Sequence, residues 1–423
     1  MAYMALALLL IFIAIMLLGI PVGFGMGALT VIAFELLGGD LSMIPQKMFA
    51  GIDTYTYVCI LLFILSADIM SVGGITNAIV VFCEKLVGHI KGGLAHVNVL
   101  ASMLFAGLSG SAAADAAGLG PIEIKMMTDG GYDKEFSSCV TAASAIIGPI
   151  IPPSNIMIIY AGCVGTVSVG KMFLAGAIPG ILLGIAYMIF CYWISVKRKY
   201  PCRKTRATWK EIGHATWETL PALLLPIIIM GTITLGICTA TESSAIAVIY
   251  STIVAACKKN LSIKSFCRAC IRSAKAAANV LFIIAISSAM AWAVTTLGVA
   301  QALTNFCVAY INNKIVFLLF VNVLLLLIGM LLDASPALLL MVPILWPVAK
   351  TLGIDAIHFG VMVCFNLMVG TLTPPVGMML FIVSNVGKVK LSVMYKGILP
   401  FVAVAVVFCC WRVVSMGIVL LPT

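Results

Sequence analysis

Two short stretches of the sequence carry small, hydroxyl and acidic residues that could bind a small cation. Residues 107–115 read Gly-Leu-Ser-Gly-Ser-Ala-Ala-Ala-Asp, and residues 329–336 read Gly-Met-Leu-Leu-Asp-Ala-Ser-Pro. Turns of this composition expose carbonyl and hydroxyl oxygens, which are the ligands that hard cations prefer. Asp333 adds a carboxylate to the second stretch, and no Lys or Arg lies between Lys314 and Lys350 to neutralise it. Because an acid within a membrane span needs a partner, we expect a cation such as Na⁺ beside Asp333.

Both stretches also have a structural interpretation. Gly, Ala and Ser let membrane helices approach closely, so residues 107–115 could simply form a helix contact. Asp333 could instead pair with a Lys or extend to the membrane interface. The interruption of both stretches favours ion or substrate binding.

Two proline pairs interrupt other apolar segments. Residues 148–155 read Gly-Pro-Ile-Ile-Pro-Pro-Ser-Asn, and residues 370–377 read Gly-Thr-Leu-Thr-Pro-Pro-Val-Gly. Proline lacks an N–H and disfavours helix in the residue before it, so each motif is expected to unwind about one turn. The freed carbonyls can coordinate Na⁺, and the following half-helix presents its positive N-terminus to an anion. A simple proline kink is the alternative for either motif alone.

These four stretches belong to an internal duplication. Residues 107–157 align without a gap with residues 329–379, at an offset of 222 over 51 positions. Ten positions are identical, six of them Gly or Pro, and Ser111 aligns with Asp333. In a bilayer, irregular backbone persists only where protein or a water-filled cavity satisfies its polar groups. Paired interruptions at matching positions therefore predict a binding site, and the chain is expected to be a transporter.

Composition places the chain in a membrane. Of its 423 residues 63% are hydrophobic and 9% charged, with a mean hydropathy of +1.19, which leaves too little polar surface for a water-soluble globule. The 14 cysteines are scattered and indicate neither disulfides nor zinc. The net charge of +10 could suggest nucleic-acid binding, but its distribution indicates membrane topology instead.

Hydropathy predicts ten crossings, each long enough for a core of about 30 Å. They are residues 3–19, 22–38, 57–72, 137–160, 172–196, 218–237, 240–256, 277–297, 358–384 and 395–419. The crossings at 137–160 and 358–384 contain the proline pairs and are the two predicted broken helices. Two further apolar stretches, 94–127 and 315–347, carry polar or small residues at mid-length and are the first and second predicted re-entrant hairpins.

The basic residues set the predicted orientation. With the N-terminus outside, 20 of the 25 Lys and Arg residues lie in cytoplasmic segments, as the positive-inside rule requires. Five crossings precede the basic cytoplasmic linker 197–216 and five follow it. The predicted fold is therefore an all-α polytopic membrane protein with two inverted repeats, 1–196 and 217–423, whose hairpins enter from opposite faces.

Four other acids are expected to have structural roles. Glu242 lies near a predicted helix end and is interpreted as interfacial or as a first-turn acid. Asp68, Glu123 and Asp129 are expected to form structural pairs.

Six stretches together resemble the large membrane subunit of tripartite ATP-independent periplasmic (TRAP) transporters. They are residues 19–23, 107–111 with Asp115, 148–153, 239–242, 329–336 with Pro343, and 370–377. Each is weak alone, whereas together they are specific, and the resemblance covers essentially the whole chain. The segment 239–244 reads Thr-Ala-Thr-Glu-Ser-Ser where many relatives have Thr-Pro-Thr-Glu-Ala-Ala, which should affect a helix start rather than the site.

The resemblance implies a transporter of the bacterial inner membrane that takes up an organic anion, such as sialic acid or a C4-dicarboxylate. It implies Na⁺ as the coupling ion and an elevator motion, in which the hairpins and broken helices form a transport domain that moves against a scaffold. It also implies two partners, a periplasmic substrate-binding protein (P type) and a small membrane subunit (Q type). The sequence contains no Walker-type loop, which agrees with a gradient rather than ATP as the energy source.

The resemblance further implies two sodium sites and an anion site. The first sodium site is expected to comprise Ser109, Gly110, Ser111, Gly148, Pro149, Ile151 and Ser154. The second is expected to comprise Asp333, Ser335, Gly370, Thr371, Thr373 and Pro374. The anion is expected between them, at Ser111, Ser154, Asn155, Asp333 and Gly377.

Two other functions compete with this interpretation. Residues 107–110 spell the G-x-S-G of intramembrane serine proteases, in which Ser109 would be the nucleophile and a His from another span the base. The four histidines, of which only His358 approaches such a position, are His89, His96, His214 and His358. A passive organic-anion channel is the second alternative, because inverted halves alone do not exclude it.

Overall fold

The computed structural model describes residues 11, 20, 22–202, 206–259, 261–298, 301 and 313–414, and over these ranges the chain is helical with connecting turns and loops. Within them we number eighteen helices in chain order. They are α1 (Val22–Leu36), α2 (Met43–Ile52), α3 (Val58–Val72), α4 (Ile75–Val87), α5 (Gly93–Ser109), α6 (Ala112–Gly118), α7 (Gly120–Asp129), α8 (Lys134–Ala145), α9 (Asn155–Val164), α10 (Val169–Arg198), α11 (Trp209–Thr234), α12 (Ala240–Cys257), α13 (Ile263–Thr296), α14 (Lys314–Leu331), α15 (Ala334–Thr351), α16 (Ala356–Leu372), α17 (Met378–Gly387) and α18 (Leu391–Val414).

Eight of the described helical segments are long and apolar enough to cross a membrane. Six of them coincide with predicted crossings, and the other two are α14 and α15, the arms of the second hairpin. Of the remaining four predicted crossings, 22–38 is the 15-residue helix α1 and two are interrupted helices. The fourth, 3–19, lies almost wholly outside the described residues. The prediction of an all-α polytopic membrane protein is confirmed.

The first predicted hairpin is a pair of antiparallel arms. Helices α5 and α7 lie side by side, since Ser102 Oγ donates to Glu123 Oε1 at 3.3 Å and Asn98 Nδ2 lies 3.5 Å from Met127 Sδ. Between the arms, Gly110 adopts a left-handed conformation (φ 59°), and the short helix α6 follows. Gly110 ends α5 because only a residue without a Cβ takes this conformation at little cost.

The second hairpin is formed by α14 and α15. Lys314 at the start of α14 donates from Nζ to the carbonyl of Gly353, just beyond α15, at 3.1 Å. The open ends of the two arms therefore lie together. At the tip the helix is interrupted at Leu332 and Asp333, which are both extended.

Both predicted broken helices are interrupted where the proline pairs stand. The first runs from α8 through irregular residues 146–154 to α9, and the second from α16 through 373–377 to α17. The Pro152–Pro153 and Pro374–Pro375 bonds are both cis. Every residue of α16 from His358 to Leu372 is buried, so this half-helix lies in the centre of the fold.

Two groups of helices meet at the interruptions. The hairpin arms pack against the broken helices, α5 against α8 and α14 against α16. On the other side, the long helix α13 packs against α1, α2 and α3. The two groups touch where α13 meets α15 and α3 meets α5.

Candidate functional site

A cavity of about 220 Å³ lies where the two hairpin tips meet the broken helices. Eight of the predicted site residues line it: Ser109, Gly110, Ser111, Pro149, Asn155, Asp333, Ser335 and Thr371. The other predicted residues lie in the adjoining loops and at helix ends: Gly148, Ile151, Ser154, Gly370, Thr373, Pro374 and Gly377. Helices α3 and α13 close the cavity through Ile64, Ala67, Asp68, Ala276 and Val280. The fold thus gathers residues that are more than 200 positions apart in the sequence.

Backbone hydrogen bonds join each hairpin tip to its broken helix. The N–H of Asn155, the first residue of α9, donates to the carbonyl of Gly110 at 3.4 Å. At the equivalent register position of the second half, the N–H of Gly377 donates to the carbonyl of Met330 at 3.0 Å. The two donors, Asn155 and Gly377, are equivalent in the duplication, because they are 222 positions apart. The acceptor Met330 lies two residues before Leu332, the position equivalent to Gly110. Each tip is therefore tied to an unwound loop by the main chain.

The loop of the first broken helix is held by Ser154. Its hydroxyl accepts from the N–H of Met157 at 3.3 Å, which caps α9, and donates to the carbonyl of Pro149. Ser154 is completely buried and does not line the cavity. Its observed contacts maintain the loop, and its predicted contact with sodium or anion stays a prediction.

Asp115, which the sequence predicts only as part of the tip motif, lies beside residues of the first predicted sodium site. Ser109 Oγ donates to Asp115 Oδ1. Asp115 is 1% exposed, and its Oδ2 has no hydrogen-bond partner in the described part of the chain. A Cβ placed on Gly148 would collide with this Oδ2, so the carboxylate abuts the Gly148–Ser154 loop. The first predicted sodium site therefore contains a carboxylate.

The second tip presents its acid differently. Asp333 begins α15 in an extended conformation, and its side chain makes no capping hydrogen bond. It lines the cavity together with Ser335 and Thr371. The hydroxyls of Thr371 and Thr373 donate to the helix carbonyls of Met368 and Val369, at 2.7 and 2.8 Å. Because the donors are used, the lone pairs of these hydroxyl oxygens stay available to a cation.

The donor set at both tips fits a sodium ion. It consists of hydroxyl, carbonyl and carboxylate oxygens, which suit hard cations. The orphaned Oδ2 of Asp115 is the specific observation, since a buried carboxylate oxygen without a donor needs a compensating positive charge. Asp115 and Asp333 each place a carboxylate at their hairpin tip, from different register positions of the two halves.

The sequence of the chain matches a known protein family. The model of the “Tripartite ATP-independent periplasmic transporter, DctM component” matches residues 9–416. The chain belongs to this family. TRAP permeases are transporters rather than enzymes, so the chain is a multi-pass membrane transport protein.

Curated TRAP permeases are similar along almost the whole chain. The chain is 41% identical to the sialic acid TRAP transporter large permease protein SiaM of Vibrio cholerae, over 90% of each protein. It is 39% identical to the sialic acid TRAP transporter permease protein SiaT of Haemophilus influenzae, over 93% of this chain and 64% of that protein. It is 36% identical to the C4-dicarboxylate TRAP transporter large permease protein DctM of Pseudomonas aeruginosa, over 90% and 89%.

A solved structure has a similar fold. The Alcanivorax borkumensis YdaH transporter, whose topology is described as unusual, aligns with a TM-score of 0.64 over 88% of this chain and 87% of that one. The sequence identity is 13%, so the similarity concerns the fold alone.

Within the TRAP permease, Ser109 is not arranged as a protease nucleophile. Its hydroxyl donates to Asp115 rather than to a histidine. His96 lies on the same helix 13 residues earlier, which is about 20 Å along the axis. The family assignment excludes the protease interpretation, and the hydrogen bond of Ser109 to Asp115 agrees with that.

The four acids expected to have structural roles differ in their contacts. Asp68 forms an ion pair with Arg272, with Asp68 Oδ1 and Arg272 Nη2 2.8 Å apart, as predicted. Glu123 accepts a hydrogen bond from Ser102 but forms no ion pair with another described residue, and neither does Asp129. Glu242 accepts from the N–H and hydroxyl of Thr239, both at 2.8 Å, in a capping box, so its first-turn role is confirmed.

Proposed function

We propose that this permease couples the inward sodium gradient to the uptake of an organic anion. The observation that carries the proposal is the buried Asp115 carboxylate, with one oxygen held by Ser109 and the other without a partner among the described residues. Two carboxylates, Asp115 and Asp333, lie at the two tips that enclose one cavity. An anion would be repelled by both acids, whereas bound sodium ions would remove that repulsion. Anion binding would then depend on sodium, which is the basis of coupling.

The anion would lie between the two tips. The half-helices α9 and α17 begin at the cavity, where Asn155 and Met378 line it. Helix N-termini attract carboxylates, and half-helices of this kind bind anionic groups in other membrane transporters. The amide of Asn155 and the hydroxyl of Ser111 add neutral hydrogen-bonding groups to the wall.

Sialic acid is the first substrate to test, and a C4-dicarboxylate the second. The relatives at 41% and 39% identity are described as sialic acid transporters, and one at 36% as a C4-dicarboxylate transporter. The helix termini and neutral polar groups of the cavity fit a carboxylate of either kind.

The transport cycle is proposed to follow the elevator scheme in the bacterial inner membrane, with the N-terminus in the periplasm. The hairpins and broken helices, which pack on one another, would move as one body past the group formed by α1, α2, α3 and α13. A periplasmic substrate-binding protein would deliver the anion, and a small membrane subunit would brace the permease.

Reconstitution tests this function. Proteoliposomes that contain the permease, its small membrane subunit and the binding protein should accumulate radiolabelled sialic acid or succinate above the external concentration when sodium is supplied outside only. Potassium in place of sodium should abolish the accumulation. Equilibration without accumulation would instead indicate a passive channel.

A further inference from the structure

Arg272 is a basic side chain that contacts a residue of the cavity wall. The guanidinium of Arg272 contacts both carboxylate oxygens of Asp68. Its Nε donates to Oδ1 and Oδ2, each at 3.0 Å, and its Nη2 lies 2.8 Å from Oδ1. Ser273 Oγ donates to Asp68 Oδ2 at 2.7 Å. Asp68 lines the cavity, so this cluster belongs to its wall on the side of α3 and α13.

The register of α13 places Arg272 beside the cavity. Ala276 and Val280 both line it, and Arg272 lies one turn before Ala276 on the same i, i+4 row. Asp68 lies in the last third of α3 and contacts Arg272 and Ser273 in the third turn of α13, near the start of that helix. Arg272 therefore belongs to the basic segment 258–275 and lies beside the end of the cavity nearest the start of α13.

The acidic wall of the cavity makes the charge of Arg272 relevant to the passage of an anion. Among the described residues, the charged ones that line the cavity are the acids Asp68 and Asp333, and Asp115 adjoins it. An anion that leaves the two tips would meet Asp68 next. Arg272 neutralises Asp68, which converts this repulsive part of the wall into one that an anion can pass.

The guanidinium of Arg272 also retains free donors. Of its five N–H groups, Nε and one of Nη2 are directed to Asp68, and Nη1 forms no hydrogen bond with any residue in the described ranges. The Arg272 side chain is 61% exposed. The N–H groups of Nη1 and the second N–H of Nη2 form a planar fork that matches a carboxylate bidentately.

We propose that Arg272 binds the carboxylate of the transported anion on the release side of the cavity, and that Asp68 is the positioning residue that holds the guanidinium there. The inference rests on the proposed function and on its orientation, in which segment 258–275 is cytoplasmic. Asp68 keeps the net charge of the pair near zero. The anion is therefore held weakly enough to leave.

Substitution of Arg272 and substitution of Asp68 should have opposite effects on the acid concentration for half-maximal transport. Arg272→Gln removes the anion contact, and the concentration of acid for half-maximal transport from the cytoplasmic face should rise about tenfold, as for the loss of one charge-assisted contact. Asp68→Asn leaves the guanidinium unpaired, and that concentration should fall. An ion pair with only a structural role would weaken transport in the same direction in both variants.

Inside-out and right-side-out membrane vesicles separate the two faces. Sodium-driven uptake of radiolabelled sialic acid and of succinate is measured in both, with the binding protein added outside the right-side-out vesicles. Arg268→Gln is the matched control, because Arg268 is an exposed arginine one turn earlier whose Nε donates to the carbonyl of Lys264 at 3.4 Å rather than to Asp68. The proposal requires the tenfold rise for Arg272→Gln in inside-out vesicles, with less than a twofold change in right-side-out vesicles and in the control.

Equal effects of Arg272→Gln and Arg268→Gln, or parallel effects of Arg272→Gln and Asp68→Asn, would overturn the proposal. Arg272→Lys is the alternative variant if Arg272→Gln is poorly folded, because lysine keeps the positive charge without the planar fork. An acid concentration for half-maximal transport between those of wild type and the tenfold rise supports the inference. A wild-type concentration refutes it. Absence of sodium-driven uptake by the wild-type permease would refute the proposed function itself, which is a separate outcome.

Discussion

Ser109 and Asp115, six residues apart at the first hairpin tip, are joined by a hydrogen bond from the serine hydroxyl to one oxygen of the buried carboxylate. The other oxygen faces Gly148 of the first broken helix and has no donor within the described ranges. Asp115 therefore contacts both kinds of interrupted element found in each repeat, the hairpin tip through Ser109 and the broken helix through Gly148. It also creates a position where a cation would complete the coordination of an otherwise uncompensated carboxylate.

Gly148 should be essential because of this carboxylate. In Gly148→Ala the new methyl group would occupy the place of Asp115 Oδ2, and overpacking of this kind costs about 1–3 kcal/mol. We expect the sodium concentration for half-maximal uptake to rise at least about tenfold, measured in proteoliposomes. Gly231→Ala is the control, since nothing lies within 4 Å of a Cβ there and uptake should be unchanged. Wild-type sodium dependence of Gly148→Ala would show that Asp115 is not near a bound ion.

The two equivalent tip residues should both be required for coupling. Ser111→Ala and Asp333→Ala remove cavity-lining oxygens from opposite tips, and each should abolish sodium-dependent uptake. Gel filtration and the melting temperature should show that both variants stay folded. Asp40→Ala and Ser42→Ala, exposed residues of a surface turn, should transport normally. Full uptake in both tip variants would remove them from the site.

The close approach of α14 and α16 should be sensitive to volume. A Cβ on Gly329 would lie 3.0 Å from Gly370 Cα, a backbone atom that cannot rotate away. Gly329→Ala should therefore destabilise the protein by about 1–3 kcal/mol and lower its melting temperature in detergent. Gly213→Ala, where a Cβ would meet nothing within 4 Å, should leave it unchanged or raise it slightly. Equal melting temperatures for Gly329→Ala and wild type would contradict the packing described for these helices.

The proposed orientation can be measured with single cysteines. Cys202 is exposed in the basic linker, and Ser168 is exposed in the loop between α9 and α10, at the other end of α10. In a background without other cysteines, a membrane-impermeant maleimide should label Cys202 in inside-out vesicles only. It should label Ser168→Cys in right-side-out vesicles only. The reverse pattern would place the N-terminus in the cytoplasm.

The interruptions of the fold could be predicted from the sequence because their causes are local. Proline removes an N–H wherever it stands, and Gly110 needs no partner to adopt its left-handed turn. The same is true of the capping box at Thr239 and Glu242, which spans three residues. Hydropathy likewise located the spans, although α13 begins at Ile263 rather than near 277, because its first turns are basic and amphipathic.

Side-chain partners could not be predicted in the same way. In the ungapped alignment Asp115 is opposite Ala337, so the duplication gives no indication that Asp115 has an acidic counterpart in the second half. Its role depends on Ser109 and on Gly148, 33 residues later, meeting in three dimensions. The contact of Asp68 with Arg272 spans 204 positions and joins two helices whose packing no local pattern specifies.

The central claim is that Asp115 belongs to a sodium site that drives uptake. The most direct measurement is equilibrium binding of radioactive sodium to purified wild-type permease and to Asp115→Asn and Asp115→Ala. Glu123→Gln is the control, because Glu123 is an equally buried acid that accepts a hydrogen bond from Ser102 on a hairpin arm rather than from a tip residue. We predict that both Asp115 variants lose one class of bound sodium, while Glu123→Gln retains it. Wild-type sodium binding in both Asp115 variants would contradict the account.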